Sequence, residues 1–301
     1  MSAERPFQHV AVLKGGPSAE RDISLCSGAA VAQGLRAAGF SVFEIDVRSE
    51  TLDLPAETDA AFIALHGRFG EDGGVQALLD ERRIPYTGSG AAASRAAMDK
   101  RLSRDRLAAA GLPIPEGARL SGSGASCPLP LPVVVKPPSQ GSSLGCHVVR
   151  GPDDWEPALE DALRYEGEVL VETFIAGREL TVGVVDQEAM PVVEIRPEGG
   201  AYDYRAKYVP GRTRYLTPAP LPARCTHEAQ AMALAVFHAL GARGFGRIDF
   251  RMDPRNRLFV LELNTIPGFT ETSLLPKAAA AAGMDFPALC ERILNLAAFG
   301  P

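Results

Sequence analysis

The sequence lacks the patterns that identify several large classes of protein. Its five cysteines are scattered, without a CxxC pair or the spacing of a metal site, which fits reduced thiols in a cytosolic protein. No stretch approaches the ~20 apolar residues that a membrane-spanning helix needs, and the opening residues contain no apolar secretion signal. We therefore expect a cytoplasmic protein with no membrane partner.

A positively charged surface is also missing. The formal net charge is −6, whereas nucleic-acid-binding proteins usually have a basic face. The stretch YDYRAKYVPGRTRY at residues 202–215 is aromatic and basic, as base-stacking surfaces are, but it is poor support in an acidic chain. We expect no nucleic-acid partner, although local lysines and arginines can hold small anionic substrates.

Common nucleophile and phosphate motifs are absent too. No cysteine lies in a motif that pairs it with a histidine, which argues against a cysteine hydrolase. The Walker A order GxxxxGK[ST] is also missing. What is present is a chain of 301 residues, 46% apolar and 23% charged, long enough for two or three compact units.

Short apolar strands alternate with a helix in the N-terminal part. Strands are predicted at residues 9–13, 41–47 and 60–65. The first helix is predicted to start at a Ser18 cap and to run to Gly39. This order is typical of a doubly wound parallel sheet, which binds ligands beyond the carboxyl ends of its strands.

Glu20 and His66 follow two of those strand ends, each in a Gly-rich turn. Each has an ordinary explanation, since Glu20 would complement a helix dipole and His66 would be a loop histidine without function. Their joint occurrence makes one shared site the better interpretation.

The central part contains a lysine followed by a loop of small residues. One continuous helix is predicted to end at Gly111. A β-branched strand later ends in Lys136, and a Gly- and Ser-rich loop follows at residues 137–145. Such a loop offers N–H groups and hydroxyls to phosphate oxygens, and the lysine adds a positive charge. The alternative is a hairpin connector that returns at residues 146–150, and a hairpin tip can also serve as a lid.

Two further segments suggest contacts with a ligand. The predicted strand at residues 168–175 carries Glu172 near its end and could present backbone groups to an adenine ring. A strand that only links sheets is the alternative. Residues 202–215 lack clear periodicity and are predicted to form a long loop over a site.

The most informative stretch is a predicted hairpin within residues 244–276. A turn at residues 253–256, with proline at its second position, sets the register. The opposed pairs are then Arg247 with Asn264, Asp249 with Glu262, and Arg251 with Val260. Because side chains alternate between faces, the other face is predicted to lie in the core. It carries Ile248, Phe250, Met252, Phe259, Leu261 and Leu263.

Two opposed carboxylates repel each other on this hairpin. A divalent cation resolves the conflict, because Mg²⁺ binds oxygen atoms from one or two carboxylates together with substrate phosphates. Asp249, Glu262 and the amide oxygen of Asn264 form such a set, beside a Gly-rich exit at residues 264–268. The alternative is a solvated face on which the carboxylates pair with arginines. We favour the metal.

Eight motifs in one order carry a resemblance to a known family. They are GGPSAERDISL, ALHGRFGEDG, YTGSG, MDK, VVVKPPSQGSSLG, YDYRAKY, GRIDF and LELNTIPGFTETSLLP. In this series the chain resembles the D-alanine–D-alanine ligases of the ATP-grasp superfamily over nearly its whole length. The resemblance implies an α/β ATP-grasp fold with a doubly wound parallel-sheet domain at residues 1–97. Two α+β domains that clasp ATP are implied at residues 98–182 and 183–301.

The resemblance also implies an activity. Two D-alanines would be joined through a D-alanyl phosphate intermediate, with ATP converted to ADP and phosphate, for peptidoglycan precursor synthesis. Two Mg²⁺ ions, with Mn²⁺ as a substitute, would be held by Asp249, Glu262 and Asn264. The family further suggests a homodimer.

Individual residues receive roles from the same resemblance. ATP would be bound by Lys100, Lys136, Ser142, Ser143, Glu172, Thr173, Phe174, Ile175, Glu179, Lys207 and Glu262. The two D-alanines would be bound by Glu20, His66, Lys207, Arg247, Gly268, Ser273 and the backbone of Leu274. The catalytic residues would be Glu20, Ser142, Tyr208, Arg247 and Gly268. Of these, Glu20, Ser142 and Tyr208 would form a hydrogen-bonded set, while Arg247 and the Gly268 N–H would stabilise an oxyanion.

The choice of acceptor depends on Tyr208, since relatives that make D-alanyl-D-lactate depart from this tyrosine. Pro138 and Gln140 differ from the residues often found in the family, which leaves the closure of their loop open. A D-alanine–D-lactate or other carboxylate–amine ligase is one alternative. An ATP-binding regulatory protein without activity is another, although Arg247 and the three metal-ligand candidates are all present.

Overall fold

Three sheets lie in the part of the chain that the structure describes. The computed structural model describes residues 6–198, 211–270 and 273–300. None of the helices within these ranges is long and apolar enough to cross a membrane.

The N-terminal sheet is parallel, with strand order β2-β1-β3. Its elements are β1 (His9–Gly15), α1 (Arg21–Ala37), β2 (Ser41–Val47), β3 (Ala60–Ile63) and α2 (Gly74–Glu81). Successive residues of β1 alternate between two cores, with Val12 on the side of α1 and Leu13 on the side of α2. The predicted doubly wound parallel sheet is therefore confirmed.

Ser18 does not cap the first helix, contrary to the prediction. The N-cap residue is Glu20, and no side chain caps this end. The Ser18 hydroxyl instead donates to the carbonyl oxygen of His66 at 2.6 Å and accepts the N–H of Glu20 at 3.1 Å. Ser18 therefore joins the two Gly-rich turns.

The helix predicted to end at Gly111 is two helices. They are α3 (Ala91–Met98) and α4 (Lys100–Ala109). Asp99 breaks the pattern because its backbone is extended, with ψ of 104°, and its carboxylate accepts the N–H of Arg101 as the N-cap of α4. An aspartate with a local backbone partner competes with helix continuation.

The central sheet is antiparallel, with strand order β4-β7-β5-β6. Its elements are β4 (Gly117–Ser121), β5 (Val133–Lys136), β6 (His147–Val149), α5 (Trp155–Glu166) and β7 (Glu168–Thr173). Val133 and Val135 pack against α5 in one core. Pairing of β5 with β6 makes residues 137–146 the tip of a hairpin, which was the alternative interpretation of this loop.

The C-terminal sheet is antiparallel, with strand order β11-β10-β8-β12-β13 and β9 paired to β8. Its strands are β8 (Arg178–Val185), β9 (Glu188–Ala189), β10 (Val193–Pro197), β11 (Thr213–Leu216), β12 (Phe245–Met252) and β13 (Leu258–Asn264). Its helices are α6 (Ala223–Ala239), α7 (Leu274–Ala281) and α8 (Phe286–Asn295). The prediction of a long loop at residues 202–215 is wrong for its last three residues, because residues 213–215 belong to β11. Residues 202–210 lie outside the described ranges.

The β12–β13 hairpin has the predicted register only in the half that lies away from the turn. Arg247 lies opposite Asn264 and Asp249 opposite Glu262, but a β-bulge after Asp249 shifts the register by one residue. Arg251 therefore faces Phe259 rather than Val260. A slip of one residue exchanges the two faces of a strand.

The bulge changes which residues of β13 face the core. Leu258 and Val260 are buried with Phe250 and Met252. The core prediction was therefore wrong for Phe259 and Leu261, which are only half-buried.

The N-terminal and C-terminal sheets share one apolar core. Val12, Leu35 and Phe62 from the first sheet and its helix pack with Phe245 and Phe269. The boundaries at 97/98 and 182/183 stay predictions; β8 continues across residue 182 within the C-terminal sheet.

Candidate active site

A cavity of about 680 Å³ is lined by residues from all three parts of the fold. The residues that were predicted to act in the site and that line it are Glu20, His66, Lys100, Ser142, Arg247, Glu262, Asn264, Gly268, Ser273 and Leu274. The lining does not include Lys136, Ser143, Glu172, Thr173, Phe174, Ile175, Glu179 or Asp249. Lys207 and Tyr208 lie outside the described residues.

At one end of the cavity, the N-terminal turns meet the hairpin tip of the central sheet. The Ser142 hydroxyl donates a hydrogen bond to a carboxylate oxygen of Glu20. Ser142 and Ser143 have φ angles of 50° and 59°, in the left-handed region that serine rarely adopts. This conformation of the hairpin tip brings Ser142 to Glu20. Tyr208, the third residue of the predicted hydrogen-bonded set, lies outside the described residues.

His66 lines the same cavity. Its Nε2 atom is 3.0 Å from the Ser27 hydroxyl. Burial, together with the charge of Arg247, lowers the pKa of His66 to about 4. The imidazole is therefore neutral at physiological pH and can orient a neighbour without adding a charge.

The polar face of the hairpin continues onto β8. Arg247 donates to both oxygens of Asp249, at 2.9 and 2.8 Å, and the Thr181 hydroxyl donates to Asp249 at 2.6 Å. Thr181 reaches Asp249 because the two residues are directly opposed in the β8–β12 pair. Glu262 lies 3.9 Å from the ammonium of Lys100.

These residues fit a metal ion. The side-chain oxygen of Asn264 is buried with no hydrogen-bond partner in the described part of the chain. A carboxylate has about four acceptor positions, so Asp249 keeps capacity beyond its three bonds. Within the described ranges, no three His, Cys, Asp or Glu side chains form a metal cluster by themselves. Two carboxylates and one amide oxygen instead leave positions for phosphate oxygens and water, as Mg²⁺ requires.

Two lysines approach the same region from different elements. The Lys100 ammonium donates to the carbonyl oxygen of Gln140 at 2.7 Å, and burial lowers its pKa although Glu262 opposes this. Lys136 lies 2.6 Å from Glu172. Burial alone would lower the pKa of Lys136, but the charge and hydrogen bond of Glu172 outweigh it and raise that pKa. Lys136 therefore keeps its charge.

Glu172 is held by two cations. It is 4% exposed and lies 2.6 Å from both Arg104 of α4 and Lys136 of β5. The contact with Lys136 follows from the register, because Val134 is opposite Glu172 and Lys136 is on the same face. The N–H groups of Thr173 and Phe174 donate to the carbonyl oxygens of Glu116 and Pro132. Both donors are therefore already taken by backbone hydrogen bonds within the protein.

Comparisons with known proteins agree with this geometry. A family model described as the C-terminal part of D-Ala D-Ala ligase matches residues 124–295, and one for the N-terminal part matches residues 45–89. A D-alanine–D-alanine ligase of Syntrophotalea carbinolica is 48% identical over 95% of this chain and 94% of that protein. A second, of Methylacidiphilum infernorum, is 45% identical over 96% of this chain and 95% of that protein. The chain belongs to the D-alanine–D-alanine ligase family.

A solved structure extends the match to the fold of the ligase family. The crystal structure of D-alanine–D-alanine ligase from Bacillus anthracis is 32% identical, with a TM-score of 0.84, and covers 96% of this chain and 97% of that one. The predicted three-domain α/β ATP-grasp fold is thereby confirmed, as is an ATP-dependent ligase.

The sequence-based prediction missed several residues that support this ligase site. They are Glu71, Arg104, Gln140, Thr181 and Arg251. Glu71 had a signal, since it follows His66 in the same Gly-rich turn. Its carboxylate accepts the N–H of Gly67 at 2.6 Å. Burial and the nearby charge of Glu20 raise the pKa of Glu71 to about 8.

Proposed function

We propose that this protein joins two D-alanines into D-alanyl-D-alanine, with ATP converted to ADP and phosphate, for peptidoglycan precursor synthesis. Family membership supports the reaction class. The observation that carries the proposal is the meeting of Glu20 with Ser142 in the cavity that Lys100, Arg247 and Glu262 also line. This cavity has a carboxylate for an amino acid's ammonium group and cations for phosphate groups within one enclosure.

The first step transfers the γ-phosphoryl group of ATP to the carboxylate of the first D-alanine. Glu20 holds the ammonium group of that substrate, with neutral His66 beside it. Lys100, Lys136 and the Ser142–Ser143 tip hold the phosphate oxygens, and their fixed charges and hydrogen bonds stabilise the transferred group.

Magnesium would assist this step, and the family resemblance implies two ions, with Mn²⁺ as a substitute. Asp249, Glu262 and Asn264 would hold them. The bound metal supplies positive charge that neutralises the phosphate oxygens. Arg247 keeps Asp249 aligned through its two hydrogen bonds.

The second step is attack of the amine of the second D-alanine on the activated carbonyl. A tetrahedral oxyanion forms, and phosphate leaves as the peptide bond is completed. Arg247 and the N–H of Gly268 stabilise the oxyanion. An added Cβ at position 268 would lie 2.7 Å from the Ser273 hydroxyl oxygen, so a larger residue there would displace that hydroxyl.

The carboxylate of the second D-alanine binds at the start of α7. Ser273 is the N-cap of this helix and Leu274 its first residue, so the positive end of the helix dipole faces the carboxylate. Lys207 adds a positive charge. Tyr208, with Glu20 and Ser142, would close the site against water and so protect the acylphosphate from hydrolysis.

The nucleotide's adenine lies beside Glu172 and the 173–175 backbone, and its ribose beside Glu179. A homodimer and a cytoplasmic location complete the proposal. Both are supported by the family resemblance.

The decisive experiment measures ADP release by the purified protein with ATP and Mg²⁺. D-alanine, L-alanine, D-serine, and D-alanine plus D-lactate are compared, with Glu262→Ala as the inactive control. We expect turnover that requires D-alanine and yields the dipeptide. Turnover only with D-lactate would reassign the protein to the depsipeptide ligases. ATP binding without turnover on any amino acid would refute the proposed function.

A further inference from the structure

One arginine of the C-terminal sheet holds the chain segment that enters this sheet from the central one. Arg251, on β12, donates through Nε to the carbonyl oxygen of Ile175 at 3.0 Å and through Nη2 to that of Gly177 at 3.1 Å. Its Nη1 donates to Glu179 at 3.0 Å. All three sites of its guanidinium fork are therefore used by residues 175–179.

The register explains why this arginine reaches Glu179. The two residues are directly opposed in the β8–β12 pair, two positions along from Asp249 and Thr181. Both side chains are 14% exposed. A planar fork with several donors matches such a set of acceptors, whereas a lysine ammonium is a single charged point.

The same segment is tied down at Phe174 and Gly177. The Arg251 guanidinium lies 5.5 Å from the Phe174 ring centre, and that of Arg150 lies 4.9 Å from the same ring. Both distances fall within the range of cation–π contacts. Gly177 has a φ of 130°, and a Cβ there would collide with the carbonyl oxygen of Met252 on β12. Residues 174–179 are thus fixed against β12 from several sides.

We propose that Arg251 is a positioning residue of the nucleotide site. It holds the Glu179 carboxylate and the 174–177 backbone as one rigid unit, so that ribose and adenine are recognised in a fixed relation. This inference rests on the proposed function for the place of the ribose. Arg251 itself touches no substrate; it acts through Glu179 and the Ile175 carbonyl.

A purely structural role would have a different consequence. An arginine that only stabilises the fold would, when replaced, weaken all ligands alike or lower the melting temperature alone. An arginine that aligns Glu179 would, when replaced, selectively reduce the discrimination between nucleotides with and without ribose hydroxyls. The two roles therefore differ in the part of the nucleotide affinity that depends on the ribose hydroxyls.

The test is calorimetric binding of ATP and 2′,3′-dideoxy-ATP, each with Mg²⁺, to the full-length protein. In the wild type we expect ATP to bind more tightly than the dideoxy analogue. Arg251→Met should weaken ATP about tenfold and bring the two affinities close together. Glu179→Gln should have the same effect on their ratio, and adding Arg251→Met to it should change the ratio no further.

Two more variants control for folding. Arg243→Met removes a guanidinium that lies 4.9 Å from the Tyr86 ring and donates to the Ala298 carbonyl at 2.9 Å, outside the nucleotide site. It should lower the melting temperature and leave the affinity ratio unchanged. Arg251→Lys, which keeps a charge opposite Glu179, should fold if the methionine variant does not and should retain part of the discrimination.

Several outcomes would overturn the proposal. They are an unchanged affinity ratio in the folded Arg251 variants, the same loss of ratio in Arg243→Met, or a wild type that binds both nucleotides equally. Calorimetry also separates this inference from the proposed function. A protein that discriminates the nucleotides through Arg251 but shows no D-alanine-dependent turnover supports the first and refutes the second.

Discussion

The two ends of the candidate site are built on different electrostatic principles. At the proposed nucleotide end each of two carboxylates has a cation: Glu172 lies 2.6 Å from both Arg104 and Lys136, and Glu179 lies 3.0 Å from Arg251. At the proposed amino-acid end Glu20 and Glu71 are close enough for the charge of Glu20 to raise the pKa of the Glu71 carboxyl group.

This difference indicates how each end responds to a ligand. The nucleotide end is balanced in the free protein, so its side chains are aligned before ATP arrives. The amino-acid end brings like charges together, which is favourable only when a proton or a substrate ammonium group offsets them.

The largest effect is expected from Lys136→Met at the nucleotide end. This substitution removes one of the two cations that pair with buried Glu172. The protein should be destabilised by about 3 kcal/mol, which is the lower end of the range for breaking a buried ion pair, because Arg104 still pairs with Glu172. Activity should fall by at least ~100-fold. Denaturant unfolding and ADP release measure the two effects. Lys136→Arg, which keeps a charge beside Glu172, should recover most of the stability; activity near the wild-type level in Lys136→Met would contradict a role in phosphate binding.

Ser142→Ala tests the amino-acid end, where one hydrogen bond joins two parts of the fold. Loss of a hydrogen bond to a charged group should lower kcat about tenfold and leave the melting temperature nearly unchanged. Because water would reach the acylphosphate, ADP released per dipeptide should rise above one. Ser139→Ala, in the same loop, is the matched control. A stoichiometry that stays at one in Ser142→Ala would argue against water exclusion.

Glu71→Gln tests the like-charge pair through its pH dependence. The folded-state pKa of Glu71 is about 8, above its ordinary value of 4.5. A raised pKa means that this group's contribution to stability is complete below about pH 4.5 and is lost as the pH rises towards 8. The glutamine variant lacks this loss. Its melting temperature should therefore gain a few degrees relative to the wild type between pH 5 and pH 8, whereas exposed Glu81→Gln should show no such trend.

The smallest effect is expected from Asp99→Ala, which removes the cap of α4 next to Lys100. Loss of an N-cap costs about 1 kcal/mol, and Asp285→Ala at the N-cap of α8 should cost the same. Only Asp99→Ala should raise the KM for ATP, since α4 positions Lys100. Equal KM values in the two variants would show that the cap matters for stability alone.

Much of the site was predictable because its signals are local. Turn chemistry and alternation placed Asp249 opposite Glu262 and Arg247 opposite Asn264, as the structure has them. The Gly-rich turns that carry Glu20 and His66 do lie at one cavity. The bulge after Asp249 was not predictable from the turn, because an inserted residue is chosen by packing on the core side. That choice moved Leu258 and Val260 inward in place of Phe259 and Leu261.

The order of residues along the chain is enough to indicate the family, the strand and helix pattern and the groups that offer charge, since these depend on neighbouring residues. Which distant groups meet them follows only from the folded arrangement of the sheets. Pairing of β8 with β12 brought Thr181 to Asp249 and Glu179 to Arg251, and the fold brought Arg104 to Glu172 and Glu71 near Glu20. Such pairs join segments far apart in the chain. They form only when the cores between the sheets are packed, and no local pattern records that packing.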